Sequence, residues 1–343
     1  MTRRFAAVIV NYNCAPLAID AALSVIGAGR GSARVVIVDN ASPDGSVECF
    51  RNFSAERRPW TPQRPPGARS VAFADPARLS VSIVAEGASA PHDDDLTIIL
   101  ARLNSGFAAG SNIGLKALDL GDHEFVLLLN PDALVAEGAL DAFERRLADL
   151  SIGLCGATVL SFDPPHPAQA FGGAALDRWT FSGKNLGAGL MLADAPPTEE
   201  IERSLAYPLG AAFAFRPDYV DRAGYLDERY FLYYEEADWA FAGGALKVGW
   251  ARDAVVYHRY GASTKSARSA AGAASRSPLS EFHMARSRLL FALKWRPLLA
   301  PASIALGAAQ AARRLSEGRV AQARALALGS LPWAEPHMMR PSV

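Results

Sequence analysis

Three short clusters of side chains suited to phosphate, metal and proton chemistry stand far apart in this sequence of 343 residues. The first is Asn130-Pro131-Asp132, which closes the apolar run Phe125-Val126-Leu127-Leu128-Leu129. Five apolar residues stopped by a proline read as a strand buried on both faces, and the C-terminal end of such a strand is where open α/β sheets place ligands. Asp132 offers the hard oxygen that Mg²⁺ or Mn²⁺ prefers, leaving the metal's other positions to water and phosphate. The alternative is a cap on a helix beginning near Ala133.

The second cluster is Glu235-Glu236-Ala237-Asp238-Trp239, behind the aromatic run Tyr230-Phe231-Leu232-Tyr233-Tyr234. A helix beginning near Glu235 puts these acids in its first turn, where free N–H groups and the helix dipole favour negative charge. A carboxylate so placed is expected to stay ionised at neutral pH, as a general base must, with the aromatic residues screening it from water. Glu235 and Asp238 share a helix face and Glu236 points about 100° away, so one glutamate must lead. An acidic first turn that only stabilises its own helix gives the same pattern. The third cluster is His258, at the end of Val255-Val256-Tyr257. It can ligate a metal through one ring nitrogen or hydrogen-bond a loop carbonyl.

The stretch Asn104-Ser105-Gly106-Phe107-Ala108-Ala109-Gly110-Ser111-Asn112 has the glycine content of a phosphate-binding loop ahead of a helix. Its glycines, with Gly114, are four apart, which does not match the dinucleotide fingerprint. The Walker pattern and the Gly-x-Ser-x-Gly elbow are absent too, which sets aside nicotinamide, P-loop and serine-hydrolase readings.

The elements that must position these clusters alternate strand and helix, the signature of parallel β-α-β units. Strands are expected at Phe5–Val10, Val35–Val38, Thr97–Leu100, Phe125–Leu129, Gly153–Leu160, Tyr207–Arg216 and Val255–Tyr257. Helices are expected at Leu17–Ile26, from Ser46 or Asp44 to Phe50, at Ser111–Leu118, at Leu134–Leu150 and from Leu279 onward, broken at Pro297. Residues from about 52 to 95, with Arg57-Arg58-Pro59, Pro65-Pro66-Gly67 and Asp93-Asp94-Asp95, read as an insertion holding one short strand near Ser80–Val84. Gly172–Pro208 reads as loop or lid material.

Composition frames the function without naming it. Basic and acidic residues number 35 each, and a formal net charge of zero argues against an electrostatic grip on nucleic acid. Cys14, Cys49 and Cys155 show neither metal-ligand spacing nor a disulfide framework, which fits a reducing cytoplasm. The apolar stretch after Arg3-Arg4 is cut by Asn11-Tyr12-Asn13 and reads as a first strand rather than a signal peptide. No apolar run reaches the roughly 18 residues needed to cross a bilayer, although Leu298–Ala312 is suited to lying on a membrane surface.

Taken in chain order, Val8-Ile9-Val10-Asn11-Tyr12-Asn13, Val36-Ile37-Val38-Asp39-Asn40-Ala41-Ser42, Asn104-Ser105-Gly106-Phe107-Ala108, Leu128-Leu129-Asn130-Pro131-Asp132, Gly224-Tyr225-Leu226-Asp227-Glu228 and Tyr234-Glu235-Glu236-Ala237-Asp238 resemble the family-2 glycosyltransferases. The rhamnosyltransferase-like branch is the most similar, over about residues 5–295 apart from the insertion, with Tyr257-His258 and Arg286-Ser287-Arg288-Leu289-Leu290-Phe291 extending the match. The resemblance implies an A-type glycosyltransferase fold: α/β, a mixed, mostly parallel central sheet flanked by helices. It also implies a catalytic domain over 1–275, with a nucleotide-sugar-binding half (1–133, carrying the insertion) and an acceptor-binding half (134–275), followed by a C-terminal helical extension over 276–343.

By the same resemblance Asn11, Asp39 and Asn40 would hold the base and ribose, with Tyr12 in the same nucleotide-sugar site, and Asn104, Gly106 and Asn112 would approach ribose and diphosphate. Asn130 stands where the family has the first aspartate of its Asp-x-Asp motif, leaving Asp132 and His258 to bind Mg²⁺ or Mn²⁺. Glu236 falls on the catalytic-base position, usually an aspartate, with Glu235 and Asp238 as further catalytic candidates. The extra methylene moves the carboxylate by about an ångström, a misplacement that can cost roughly a hundredfold in rate.

The implied activity is inverting, metal-dependent transfer of a sugar, with rhamnose the family-weighted choice, from a dTDP- or UDP-linked donor to a glycan or lipid-linked acceptor. It implies work in surface-polysaccharide synthesis at the cytoplasmic membrane face, with possible peripheral membrane contact through C-terminal arginines. Two alternatives stay open. A nucleotidyltransferase would carry a basic glycine-rich loop where this chain has Asn11-Tyr12-Asn13. A catalytically weak or inactive nucleotide-sugar-binding module would accommodate Glu236 and the insertion.

Overall fold

A computed structural model describes residues 4–56, 60–259 and 276–333. Arg57-Arg58-Pro59 of the insertion, the end of the expected acceptor-binding half (260–275) and the last part of the C-terminal extension (334–343) lie outside the described residues. The strands are β1 (Phe5–Asn11), β2 (Ala33–Asp39), β3 (Val81–Ala85), β4 (Leu96–Leu100), β5 (Phe125–Leu129), β6 (Ala133–Val135), β7 (Ile152–Ser161), β8 (Ala168–Phe171), β9 (Gly173–Leu176), β10 (Gly183–Asn185), β11 (Tyr207–Pro208), β12 (Ala212–Phe215) and β13 (Lys247–His258). The helices are α1 (Ala15–Gly29), α2 (Ser46–Glu56), α3 (Phe107–Ala117), α4 (Ala139–Leu147), α5 (Thr198–Glu202), α6 (Asp218–Ala223), α7 (Glu235–Ala242), α8 (Pro278–Trp295), α9 (Ala300–Ser316) and α10 (Val320–Gly329).

A ten-stranded sheet runs β3-β4-β2-β1-β5-β12-β7-β13-β6, with β8 paired on β7. Its first five strands are parallel, β12 runs against both β5 and β7, and β13 returns parallel to β7. β1, β2 and β5 are buried along their whole length, as parallel strands covered on both faces must be. The mixed, mostly parallel sheet flanked by helices, with helices closing the C-terminus, is the expected architecture.

Three expectations change. The helix expected over Leu134–Leu150 begins only at Ala139, after Gly138 takes the left-handed conformation. Its first residues form β6 instead, because Ala133-Leu134-Val135 finds backbone partners on β13. Gly172–Pro208 is no loose lid: β10-β9-β11 make a second, three-stranded sheet, followed in sequence order by α5 between β10 and β11. The single strand expected over Tyr207–Arg216 splits at Leu209-Gly210-Ala211 into β11 and β12, which serve different sheets.

The insertion does supply its short strand, β3, at the edge of the main sheet. The rest is pinned rather than loose. Trp60 Nε1 and the Gln63 N–H both donate to Asp20 of α1, and the Arg69 N–H donates to Tyr257 Oη at 2.8 Å. Among the described residues, no helix is long and apolar enough to cross a membrane.

Candidate functional site

The sheet register assembles the first half of the site. β13 runs antiparallel to β6 with His258 opposite Ala133, so the imidazole reaches the residue just before that strand. His258 Nε2 lies 3.1 Å from Asp132 Oδ1 and 3.3 Å from Asn130 Nδ2. Asp132 is only 4% exposed, and neither of its carboxylate oxygens accepts a hydrogen bond, because the close Nε2 contact is not aligned as one. Asp132 is therefore not a helix cap: it is a buried, unsatisfied charge, which proteins keep only when something pairs with it.

These residues fit a divalent cation. Two cis ligands with bonds of about 2.1 Å to one octahedral ion stand roughly 3.0 Å apart, close to the separation seen here. Among the described residues no three His, Cys, Asp or Glu side chains cluster, so the protein would contribute Asp132 and His258 and leave the remaining positions to water and phosphate oxygens.

The second half of the site is the start of α7. Tyr233 and Tyr234 take φ of 68° and 70°, a left-handed pair that non-glycine residues adopt only where the surroundings hold them. Tyr234 is fixed by donating to the Phe181 carbonyl at 2.6 Å. The turn delivers Glu235 into the interior and leaves Glu236 half-buried. Each glutamate has a buried Oε2 without a hydrogen-bond partner.

The expectation that this carboxylate stays ionised at neutral pH is corrected here. Burial pushes Glu236 up to about 7, against the pull of its own N–H and that of Gly210. Burial, and then the charge of Glu236, drive Glu235 well above the usual carboxyl range. Desolvation outweighs the helix N-terminus because only two N–H groups reach Glu236 while the surrounding atoms exclude most water.

Asp238, the third acidic candidate, is committed elsewhere. It accepts from Lys294 Nζ at 2.7 Å, Trp295 Nε1 at 2.7 Å and Tyr230 Oη at 3.1 Å. Its carboxylate anchors α8 to α7, with both oxygens accepting from these partners.

Gly210 and Ala211 connect the two halves. Gly210 lies against the Glu236 carboxylate, and the next carbonyl, that of Ala211, accepts the Asn130 N–H at 2.9 Å. A side chain at position 210 would crowd Glu236 Oε1. Glu236 thus packs against the neighbour of the residue that bonds Asn130, whose amide touches His258.

The expected nucleotide-binding residues gather at the C-terminal ends of β1 and β2. Asn11 Nδ2 donates to Asp39 Oδ1 at 2.7 Å, and Asp39 also accepts the Ser42 hydroxyl at 2.6 Å, so these buried groups brace one another. Tyr12 follows Asn11, half-buried. Asn40 Nδ2 donates to Asn104 Oδ1 and to the Gly106 carbonyl, both at 3.0 Å, while its Oδ1 is buried without a partner.

Gly106, at φ 95°, lies against Phe231, where a side chain would collide with the backbone, and the Phe107 N–H donates to the Phe231 carbonyl. The loop of Asn104 is thereby tied to the aromatic segment that leads into Glu235. Asn112 turns the other way: its amide donates to the Leu226 carbonyl and Glu228, and accepts the Leu226 N–H. Gly110 and Gly114 have their side-chain space filled by Val10 and Val8, so the four-residue spacing lets α3 approach β1 closely instead of cradling a phosphate.

Sequence reasoning missed Gln169, which bonds His258 twice, and Gly210-Ala211, which join the halves. A bulge on an edge strand and a glycine between two strands carry no local chemical signature, so nothing in the sequence pointed to them.

No protein-family model matches the chain, and no curated protein matches it. Among solved structures it is similar to S. aureus TarS 1-349, at a TM-score of 0.46 and 13% identity, with 84% of this chain and 65% of that one covered. It is similar to the mannosyltransferase PcManGT from Pyrobaculum calidifontis in complex with GDP-Man and Mn²⁺, at a TM-score of 0.49 and 18% identity, covering 95% of this chain and 85% of that one. It is also similar to GalNAc-T7 with UDP, GalNAc and Mn²⁺, at a TM-score of 0.49 and 13% identity, covering 76% of this chain and 44% of that one.

Proposed function

We propose that this chain is a metal-dependent glycosyltransferase that moves a sugar from a nucleoside-diphosphate donor to an acceptor hydroxyl with inversion. The observation that carries the reading is the placing of Glu236 against Gly210, whose neighbour Ala211 accepts the Asn130 N–H, beside the contact of His258 with Asp132, a buried carboxylate that accepts no hydrogen bond. A proton acceptor and a cation site at the end of one sheet suit a displacement in which a diphosphate leaves as a hydroxyl attacks.

When bound, a divalent cation supplies positive charge against the departing diphosphate. Asp132 and His258 would hold it, and the partnerless Asn40 Oδ1 would serve as a hydrogen-bond acceptor for the donor. Glu236 takes the acceptor's hydroxyl proton as that oxygen bonds the anomeric carbon, and the bond from that carbon to the diphosphate oxygen breaks with its electron pair on the leaving group. A carboxyl held near 7 is suited to this, since its ionised and protonated forms are balanced at neutral pH. Burial pushes Glu235 well above the usual carboxyl range too, which disfavours a second charge beside Glu236.

The finer reading follows the resemblance: rhamnose from a dTDP- or UDP-linked donor, passed to a glycan or lipid-linked acceptor for surface polysaccharide at the cytoplasmic membrane face. Leu298 in the turn before α9, and Ile304 and Leu315 on α9, stand exposed, apolar groups that support peripheral membrane contact.

The test is calorimetry with nucleoside diphosphates and Mn²⁺, followed by donor hydrolysis across a panel of nucleotide sugars. Glu236→Gln is expected to bind nucleotide as the wild type does and to transfer no sugar. Nucleotide binding without turnover by the wild-type protein would replace the enzyme with a binding module, and full activity of Glu236→Gln would remove Glu236 as the base.

A further inference from the structure

We infer that Gln169 is a positioning residue that fixes the ring orientation and tautomer of His258, so that Nε2 presents a lone pair toward Asp132. The inference rests on the metal-site reading above for its purpose, and on geometry for its content.

Gln169 lies on β8, which runs antiparallel to β7. Val159 pairs with Ala170 and Leu160 with Ala168, so Gln169 is the extra residue of a β-bulge. Bulges turn a side chain out of the regular alternation, and they recur beside functional sites. Here the turned side chain grips His258 at two points. Gln169 Nε2 donates to the His258 backbone carbonyl at 2.8 Å, which settles which end of the amide is nitrogen. Gln169 Oε1 then faces His258 Nδ1 at 2.8 Å and can only accept, so the proton sits on Nδ1.

Asn130 on the other side of the ring agrees with this: its Nδ2 is 3.3 Å from Nε2 and, with the proton on Nδ1, donates to it. Gln169, whose amide orientation is fixed by the His258 carbonyl, thus specifies one tautomer. Nε2 and the Asp132 carboxylate are then two acceptors facing each other across 3.1 Å, a gap that suits a cation.

The test uses the full chain with ¹⁵N-labelled histidine, reading the ring nitrogens of His258, assigned by its loss in His258→Gln, in metal-free protein. The wild type is expected to carry its proton on Nδ1. Gln169→Leu, which keeps the bulk and removes both bonds, is expected to shift the proton to Nε2 at least in part. Mn²⁺ affinity measured by electron paramagnetic resonance should fall about 10- to 100-fold, the usual cost of losing a partner that orients a metal ligand. Gln169→Glu keeps an acceptor at Nδ1 and should retain the tautomer better than Gln169→Leu, so a folding defect in one variant does not decide the matter. A wild-type ring protonated on Nε2, or a Gln169→Leu protein with unchanged tautomer and Mn²⁺ affinity within twofold, overturns the inference. If the wild type binds no Mn²⁺, the metal reading fails, and the tautomer measurement still judges Gln169.

Discussion

Glu236→Gln is expected to move stability and catalysis in opposite directions. Burial holds this carboxyl at about 7 against an ordinary value of 4.5. Between those pH values the unfolded chain releases the proton and the folded chain keeps it, so the folded state loses stability as pH rises. The loss starts above the unfolded value and is complete somewhat above 7, reaching about 3 kcal/mol by pH 8 when the difference is converted at about 1.4 kcal/mol per pH unit. Water reaching the half-buried side chain reduces this to about 1–3 kcal/mol. Glutamine has nearly the same shape and no charge to desolvate. At pH 8 the variant should therefore be about 1–3 kcal/mol more stable than the wild type, a gap that shrinks below about 1 kcal/mol at pH 5. Urea unfolding at several pH values, with unchanged m, measures it. Sugar transfer should fall by a factor of about 10² or more. The wild-type rate should climb about tenfold from pH 6 to 8 as the ionised fraction rises from roughly a tenth to nine-tenths. A variant less stable than the wild type at pH 8, or a gap that ignores pH, would refute the account of burial.

Asp132→Ala should abolish Mn²⁺ binding in calorimetry while leaving the melting temperature unchanged or raised, since it removes a buried carboxylate that no hydrogen bond satisfies. A large drop in melting temperature would show that Asp132 holds the fold together instead. Asp238→Ala strips Lys294, Trp295 and Tyr230 of their shared partner and should cost about 2–4 kcal/mol in urea unfolding. A loss under about 1 kcal/mol would contradict the anchoring role. Gly106→Ala places a side chain against Phe231 at an unfavourable φ, and should cost about 1–3 kcal/mol and weaken nucleoside-diphosphate binding in calorimetry. Unchanged stability and binding would mean that the loop can move without consequence.

The parallel half of the sheet was legible because its strands are short apolar runs closed by polar residues, as at Val38-Asp39 and Leu129-Asn130. Asp132 and His258, which the structure brings together, were legible for the same reason: each ends a strand. Local pattern failed where pairing decided the outcome. Ala133-Leu134-Val135 looks helical until β13 is there to bond it, and the small sheet of β9, β10 and β11 is built from strands of four, three and two residues, too short to show a period. Helix geometry separated Glu236 from Glu235 and Asp238, but the ionisation state followed from how many atoms surround the carboxyl, which depends on residues distant in sequence. Asn112 and Asp238 have the right type for a site and are spent on bracing, a distinction that only their partners reveal.

The grip of Lys294 and Trp295 on Asp238 bears on where this protein can be shortened. A chain ending at residue 275 would keep every group proposed for metal and nucleotide, yet it would bare Phe181, Tyr230, Tyr234 and Ala237, which now pack with Leu289, Phe291 and Ala292 of α8. The turn that aims Glu236 rests on that packing. Although these helices follow the rest in sequence, they serve as the backing plate of the carboxyl proposed as the base, and a truncation at 275 would be expected to blunt the proposed activity.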